Sequence, residues 1–259
     1  MDKKFLKSES AVSEVVGFIL VFSIIMLAIG VIYAVGYPSI QSSKESTQFQ
    51  NMEQSFMVLQ SDIKTVAFDQ APVKTLKTSL GGGSLTVYPD AGWIDVSTTA
   101  GGGYVIRNVT IGAIEYEKSG RSIAYEGGGV WEKYPAGAAI KLSEPRIFVH
   151  NTSTGNRSVF VSIINISSEI GISSVGGEGA ASVVARFNRS SSPYINSTSV
   201  PYTVTITVTS DYADAWGRYF NETLEVPVSP GPGADDVTAT ISNVYTLVVN
   251  EHVIEVEVS

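Results

Sequence analysis

Few side chains in this sequence stand at spacings that do chemistry. The two histidines, His150 and His252, have no partner at metal-ligand spacing, and cysteine is absent, which removes thiol catalysis, iron–sulfur clusters, cysteine-ligated zinc and disulfides. No serine lies in a Gly-x-Ser-x-Gly setting, so no nucleophile elbow is predicted. Glu115, Glu117, Glu126, Asp211, Asp214, Asp235 and Asp236 have the right groups for an acid–base pair or a calcium site, but no spacing selects a pair among them, and solvated strand faces account for them. Trp93, Trp131 and Trp216 would form a sugar-stacking surface if exposed, although aromatic residues at strand positions are expected in the core. Glycine triplets at residues 81–83, 101–103 and 127–129 lack the following helix that a phosphate cradle needs, and are expected as hairpin turns where glycine supplies positive φ. The expectation is therefore a protein that is not an enzyme, with no catalytic residue, metal or cofactor.

A different chemistry is more visible. Asn-x-Ser/Thr occurs at Asn108, Asn151, Asn156, Asn165, Asn188, Asn196 and Asn221, seven of the ten asparagines. With 52 serines and threonines in 259 residues, chance gives about two. The excess fits a surface exposed to a glycosylation machinery, and all but Asn165, which lies in an apolar strand pattern, are expected as acceptors. Net charge is −8, without the basic stripe that nucleic acid requires.

The elements that must position these residues begin with a helix. Residues 15–43 carry no charge, and residues 15–37 read VVGFILVFSIIMLAIGVIYAVGY. At about 1.5 Å per residue this run covers roughly 35 Å, enough to cross a bilayer core of about 30 Å. Lys3, Lys4 and Lys7 precede it and the next lysine is Lys44, so the N-terminus is expected in the cytoplasm and the C-terminus outside. A cleavable secretory signal is the alternative, but its apolar core would span only about 7–15 residues. Phe49, Met52, Phe56, Leu59, Ile63 and Val66 then recur at spacings of three and four, predicting an amphipathic continuation to residue 71. Gly36 and Pro38 are expected to kink or interrupt the helix, and Pro72 to end it. Glu14 stands at the start of the apolar run, where the helix dipole favours an interfacial carboxylate by about 0.5 kcal/mol.

Residues 7–23, KSESAVSEVVGFILVFS, resemble the N-terminus of archaeal type IV pilin-like proteins. The resemblance implies cleavage by a prepilin-type peptidase before Ser10 or before Ala11, and partners in the pilus assembly machinery and other pilin subunits. Glu14 would then be the fifth or fourth mature residue; in pilins a glutamate at the fifth pairs with a neighbour's N-terminal amine. Glu9 and Ser10 stand where that pattern has a small Gly or Ala. Together with SIAYEGGGVW at residues 122–131 and SDYADAWGRYF at residues 210–220, the same start resembles an uncharacterised family of archaeal pilin-like single-pass membrane proteins.

After Pro72 the helical spacing gives way to short alternating runs. Tyr202, Val204, Ile206 and Val208 alternate with four threonines, and Ile254, Val256 and Val258 with Glu255 and Glu257. Further strands are predicted at residues 84–88, 93–97, 104–116, 122–125, 146–150, 158–166, 181–188 and 237–249, without intervening helices. The expected architecture is α+β. A leader occupies residues 1–10, a membrane and amphipathic helix residues 11–71, and a mostly antiparallel, sandwich-like extracellular domain residues 72–259.

Overall fold

The computed structural model describes residues 6–69, 71–101, 103–135, 137–152, 155–233 and 235–259, with side chains from Val15 onward. Helix α1 runs from Leu6–Phe68 without a break, so the interruption expected at Gly36 and Pro38 does not occur. Pro38 removes one backbone hydrogen bond from a 63-residue helix, and the apolar flanks offer its amides no alternative partner. At the other end, the Thr65 carbonyl accepts from the Asp69 and Ala71 amides at 3.0 and 3.4 Å, closing the last turn just before Pro72.

The chain divides into two compact units, residues 1–50 and 51–259. The first contains the apolar part of α1. Among its described residues the long apolar side chains of residues 15–40 are exposed on every face of the helix, Phe18 by 72%. This helix is long and apolar enough to cross a membrane. Within the run, the Ser23 hydroxyl is satisfied locally, its Oγ donating to the Ile19 carbonyl at 2.7 Å.

The second unit contains the last turns of α1 and all the strands: β1 (Val73–Ser79), β2 (Gly83–Thr98), β3 (Gly103–Lys118), β4 (Arg121–Glu126), β5 (Gly129–Lys133), β6 (Ala139–Ser143), β7 (Ile147–Asn151), β8 (Arg157–Ser167), β9 (Ser173–Gly177), β10 (Ala180–Ser190), β11 (Tyr194–Ser210), β12 (Val228–Pro230) and β13 (Asp236–Val258). They form one largely antiparallel sheet, curled as a half-barrel, along the path β1-β10-β13-β11-β2-β3-β4-β5-β6. The α+β reading holds. β8 is the parallel exception, pairing with β13 from Val244↔Arg157 to Glu255↔Ser167. β13 spans 23 residues because two predicted strands, 237–249 and 254–258, are one, with a register shift near Val244 and Asn243 at positive φ.

The alternation at residues 202–209 has its predicted outcome: Tyr202, Val204, Ile206 and Val208 are buried and the threonines between them half-buried. They share one core with Ile94, Val96, Val159, Val161, Ala239 and Ile241. From α1, Met52, Phe56, Leu59, Ile63 and Val66 are also buried. The expectation of strands without intervening helices fails. A short helix α2 (Ala213–Arg218) and a π-helical turn (Tyr219–Thr223) interrupt the strands. Their buried residues Ala215, Trp216, Tyr219 and Phe220, with Tyr212 just before them, follow helical spacing, obscured by Gly217 and by the element's brevity.

Candidate functional site

The two motifs at residues 122–131 and 210–220 lie far apart in sequence and meet in space. The first is the β4–β5 hairpin, whose turn residues Gly127 and Gly128 have φ of 59° and 91°. A side chain at Gly127 would meet the Trp216 ring at 2.8 Å, and one at Gly129 the Trp131 ring at 2.7 Å. This triplet is therefore a turn, as expected, and also a seat for two indoles. Trp131 and Trp216 pack with ring centroids 4.6 Å apart and are both buried, as predicted for core aromatics.

Glu126 sits at the centre of this contact and is 1% exposed, not on the solvated strand face expected for it. Its Oε1 accepts from Ser210 Oγ at 2.7 Å and from Trp216 Nε1 at 3.0 Å, while its backbone carbonyl accepts from Trp131 Nε1 at 3.1 Å. Desolvation dominates the carboxyl and raises its pKa to about 7, against the pull of those two hydrogen bonds. Asp211 and Glu115 push in the same direction as burial. Glu115 is itself raised by desolvation, and the buried Tyr212 hydroxyl lies 2.9 Å from Ser122 Oγ. A carboxyl poised near neutrality has the chemistry of a general acid. Sealed among tryptophans, however, Glu126 offers a substrate no approach, and the arrangement instead ties the hairpin to α2. Among the described residues, no group of three His, Asp or Glu side chains could hold a metal ion.

The end of α1 is fastened to the same hairpin. Gln60 is buried, and its Nε2 donates to the carbonyls of Gly128 at 2.8 Å and Glu144 at 3.1 Å, while its Oε1 accepts from Ser143 Oγ at 2.6 Å. Arg121 of β4 holds Glu53 of α1 at 3.0 Å and also pairs with buried Glu132. Phe68 packs edge-on against His252, ring centroids 4.6 Å apart, with the Arg146 guanidinium 4.4 Å from the Phe68 ring. His252 lies between Ser190 Oγ at 2.7 Å and Asn250 Nδ2 at 2.9 Å, and desolvation lowers its pKa. His252 thus packs at the helix end, while His150 is exposed.

Residues 11–257 match a family of unknown function, DUF7289. The chain belongs to DUF7289. Both converging motifs and Gln60 fall within the part of the chain matched to DUF7289. Two proteins of Archaeoglobus fulgidus, each described only as uncharacterised, are similar over most of their length. One is 24% identical over 261 residues, covering 83% of this chain and 85% of the relative; the other is 25% identical over 248 residues, covering 88% of each. No solved structure matches.

The remaining predicted sites are dispersed. Glu9, Ser10, Ala11 and Glu14 lie on the helical backbone of α1, and their side chains fall outside the described residues. Asn108, Asn151, Asn188 and Asn221 are exposed, while Asn156 and Asn196 are half-buried. Asn151 Oδ1 accepts from Arg157 Nε at 3.0 Å. Asn165 is held inside the sheet, its Oδ1 accepting from the Gly112 amide at 3.2 Å and its Nδ2 donating to Glu251 Oε1 at 3.3 Å. Of the three tryptophans, Trp93 alone is exposed, by 48%.

Sequence reasoning passed over Gln60 because it stands among other polar residues of an amphipathic helix, and nothing in its spacing marks it as inward. It placed Glu126 on a solvated strand face because burial of a carboxylate depends on Ser210 and Trp216, 84 and 90 positions away.

Proposed function

We propose that this DUF7289 member is an archaeal type IV pilin-like, cell-surface subunit, fixed in the cell membrane by the apolar part of α1 with its N-terminus cytoplasmic and its β domain outside. The observation that carries this reading is the division of labour within α1. Its first half is apolar and exposed on all faces, which only lipid or other apolar helices can cover. Its last turns are built into the β core through Met52, Phe56, Gln60 and Ile63. One helix thus supplies both the anchor and part of the domain core, as a filament subunit or a surface complex requires. The start at residues 7–23 supports processing before Ser10 or Ala11, with Glu14 as the assembly residue. The sealed position of Glu126 supports a structural rather than catalytic use of the domain's titratable core.

A second reading, an unprocessed single-pass protein whose domain binds a partner, is favoured by one surface. Phe148, Phe160, Val248 and Ile195 are opposite one another in register across β7, β8, β13 and β11, with Phe148, Phe160 and Ile195 exposed. An apolar row of this kind on an outward sheet face is a contact surface.

N-terminal sequencing of the protein from membranes of its native host separates the two. A mature start at Ser10 or Ala11, with Glu14→Ala lost from filaments or complexes but retained in the membrane, supports the pilin-like reading. A start at Met1 or Asp2 overturns it.

A further inference from the structure

We infer that Asn108 is an N-glycosylation site whose first sugar packs on the exposed face of Trp93. The inference rests on the domain facing outward, where the glycan-transferring machinery acts. Two things set Asn108 apart from the other sequons: its backbone and its neighbour.

β2 and β3 pair Trp93↔Thr110 and Ile94↔Val109, then resume at Val96↔Ile106. Arg107 and Asn108 therefore form a bulge opposite Asp95, with Asn108 at φ 48°. Asp95 Oδ1 accepts the Asn108 backbone amide and so holds the bulge in place. A bulge of this kind turns its side chain out of the ladder. Asn108 is accordingly exposed, in a conformation an asparagine tolerates better than most residues.

The sequon hydroxyl, Thr110, is the cross-strand partner of Trp93. Asn108, Thr110 and Trp93 line one shallow cleft of about 410 Å³ with Asp90 and Gly92. Its volume falls within the roughly 300–1,000 Å³ of small-ligand sites. An indole face offers a flat apolar partner for the C–H side of a sugar ring, and Asp90 supplies a hydrogen-bond acceptor at the rim for sugar hydroxyls. Exposed indole is otherwise left in water at an energetic cost. By contrast, the Asn151 amide oxygen is taken by Arg157, and the Asn165 amide is held inside the sheet.

In the transfer, the Asn108 side-chain nitrogen attacks the anomeric carbon of an oligosaccharide carried on a polyprenyl phosphate or diphosphate. The new bond is Nδ2–C1; the C1–O bond to phosphate breaks, the lipid-linked phosphate leaves with the bonding pair, and the amide gives up one proton. No change of oxidation state is involved.

The test uses the full-length chain purified from membranes of its native host. Peptide mass mapping is expected to show a glycan on the peptide containing Asn108, lost in both Asn108→Gln and Thr110→Ala. Trp93→Ala is then expected to lower the thermal midpoint by about 2–4 °C more in the glycosylated protein than in an Asn108→Gln background. A bare Asn108 overturns the inference: with glycans on other sequons, the outward-facing reading survives without it, and with none anywhere, the sequons cease to support that reading too. Equal effects of Trp93→Ala in both backgrounds overturn the packing of sugar on indole, and binding of soluble saccharides at Trp93 by a protein with bare Asn108 replaces the covalent site with a lectin-like one.

Discussion

At Glu126, burial and hydrogen bonding pull the carboxyl in opposite directions, and burial prevails. Its folded pKa, about 7, lies above the ordinary value of 4.5. The contribution of the neutral form is therefore fully present below pH 4.5 and is lost as pH rises through 7. A shift of this size corresponds to about 3 kcal/mol. Glu126→Gln keeps an Oε1 acceptor for Ser210 and Trp216 but does not titrate. The stability difference between parent and variant, followed by denaturant unfolding of the full chain in detergent, is expected to swing by that amount in the variant's favour between pH 4.5 and pH 8. Parallel pH profiles would show that Glu126 does not feel its burial. None of this was legible in the sequence, where Glu126 is one acid beside three glycines. Sequence shows residue type, whereas burial of a charge is decided by partners such as Ser210 and Trp216 that the fold delivers from another strand and helix.

The elements were more readable where a single period runs long enough. The apolar run at residues 15–37 and the threonine alternation at residues 202–209 are each the direct image of one environment, lipid or a half-buried sheet face. Element α2 was hidden by its length, and β13 was divided because its pairing partner changes from β11 to β10 along its course. Pro38 misled because the cost of one lost hydrogen bond was weighed without the surrounding helix. The stripe on the end of α1 gives a prediction at this scale. Ile63, fully buried, and Val58, about half exposed, lie on opposite faces of the same turns. Ile63→Ala is expected to destabilise the protein by about 2–5 kcal/mol and Val58→Ala by no more than about 0.5 kcal/mol, read from the fluorescence of buried Trp131 and Trp216 during unfolding. Similar costs at both positions would mean that the helix end is not part of the core.

At the scale of the whole molecule, the chain is divided between two media. Residues 15–37 require an apolar surrounding, and the β domain, with its threonine-rich faces and exposed sequons, requires water. Gln60, Arg121 and Phe68 are where the helix end is fastened to the sheet, so anchoring and folding share one element. The sequence contains no cysteine, so a single introduced thiol reports on its own location without background. Ser199 is exposed on β11, away from the helix-fastening contacts. With Ser199→Cys expressed in the native host, a membrane-impermeant maleimide is expected to label the full-length protein on intact cells as completely as after lysis, and the labelled protein is expected to sediment with membranes. Labelling only after lysis would place the β domain inside the cell and contradict the account.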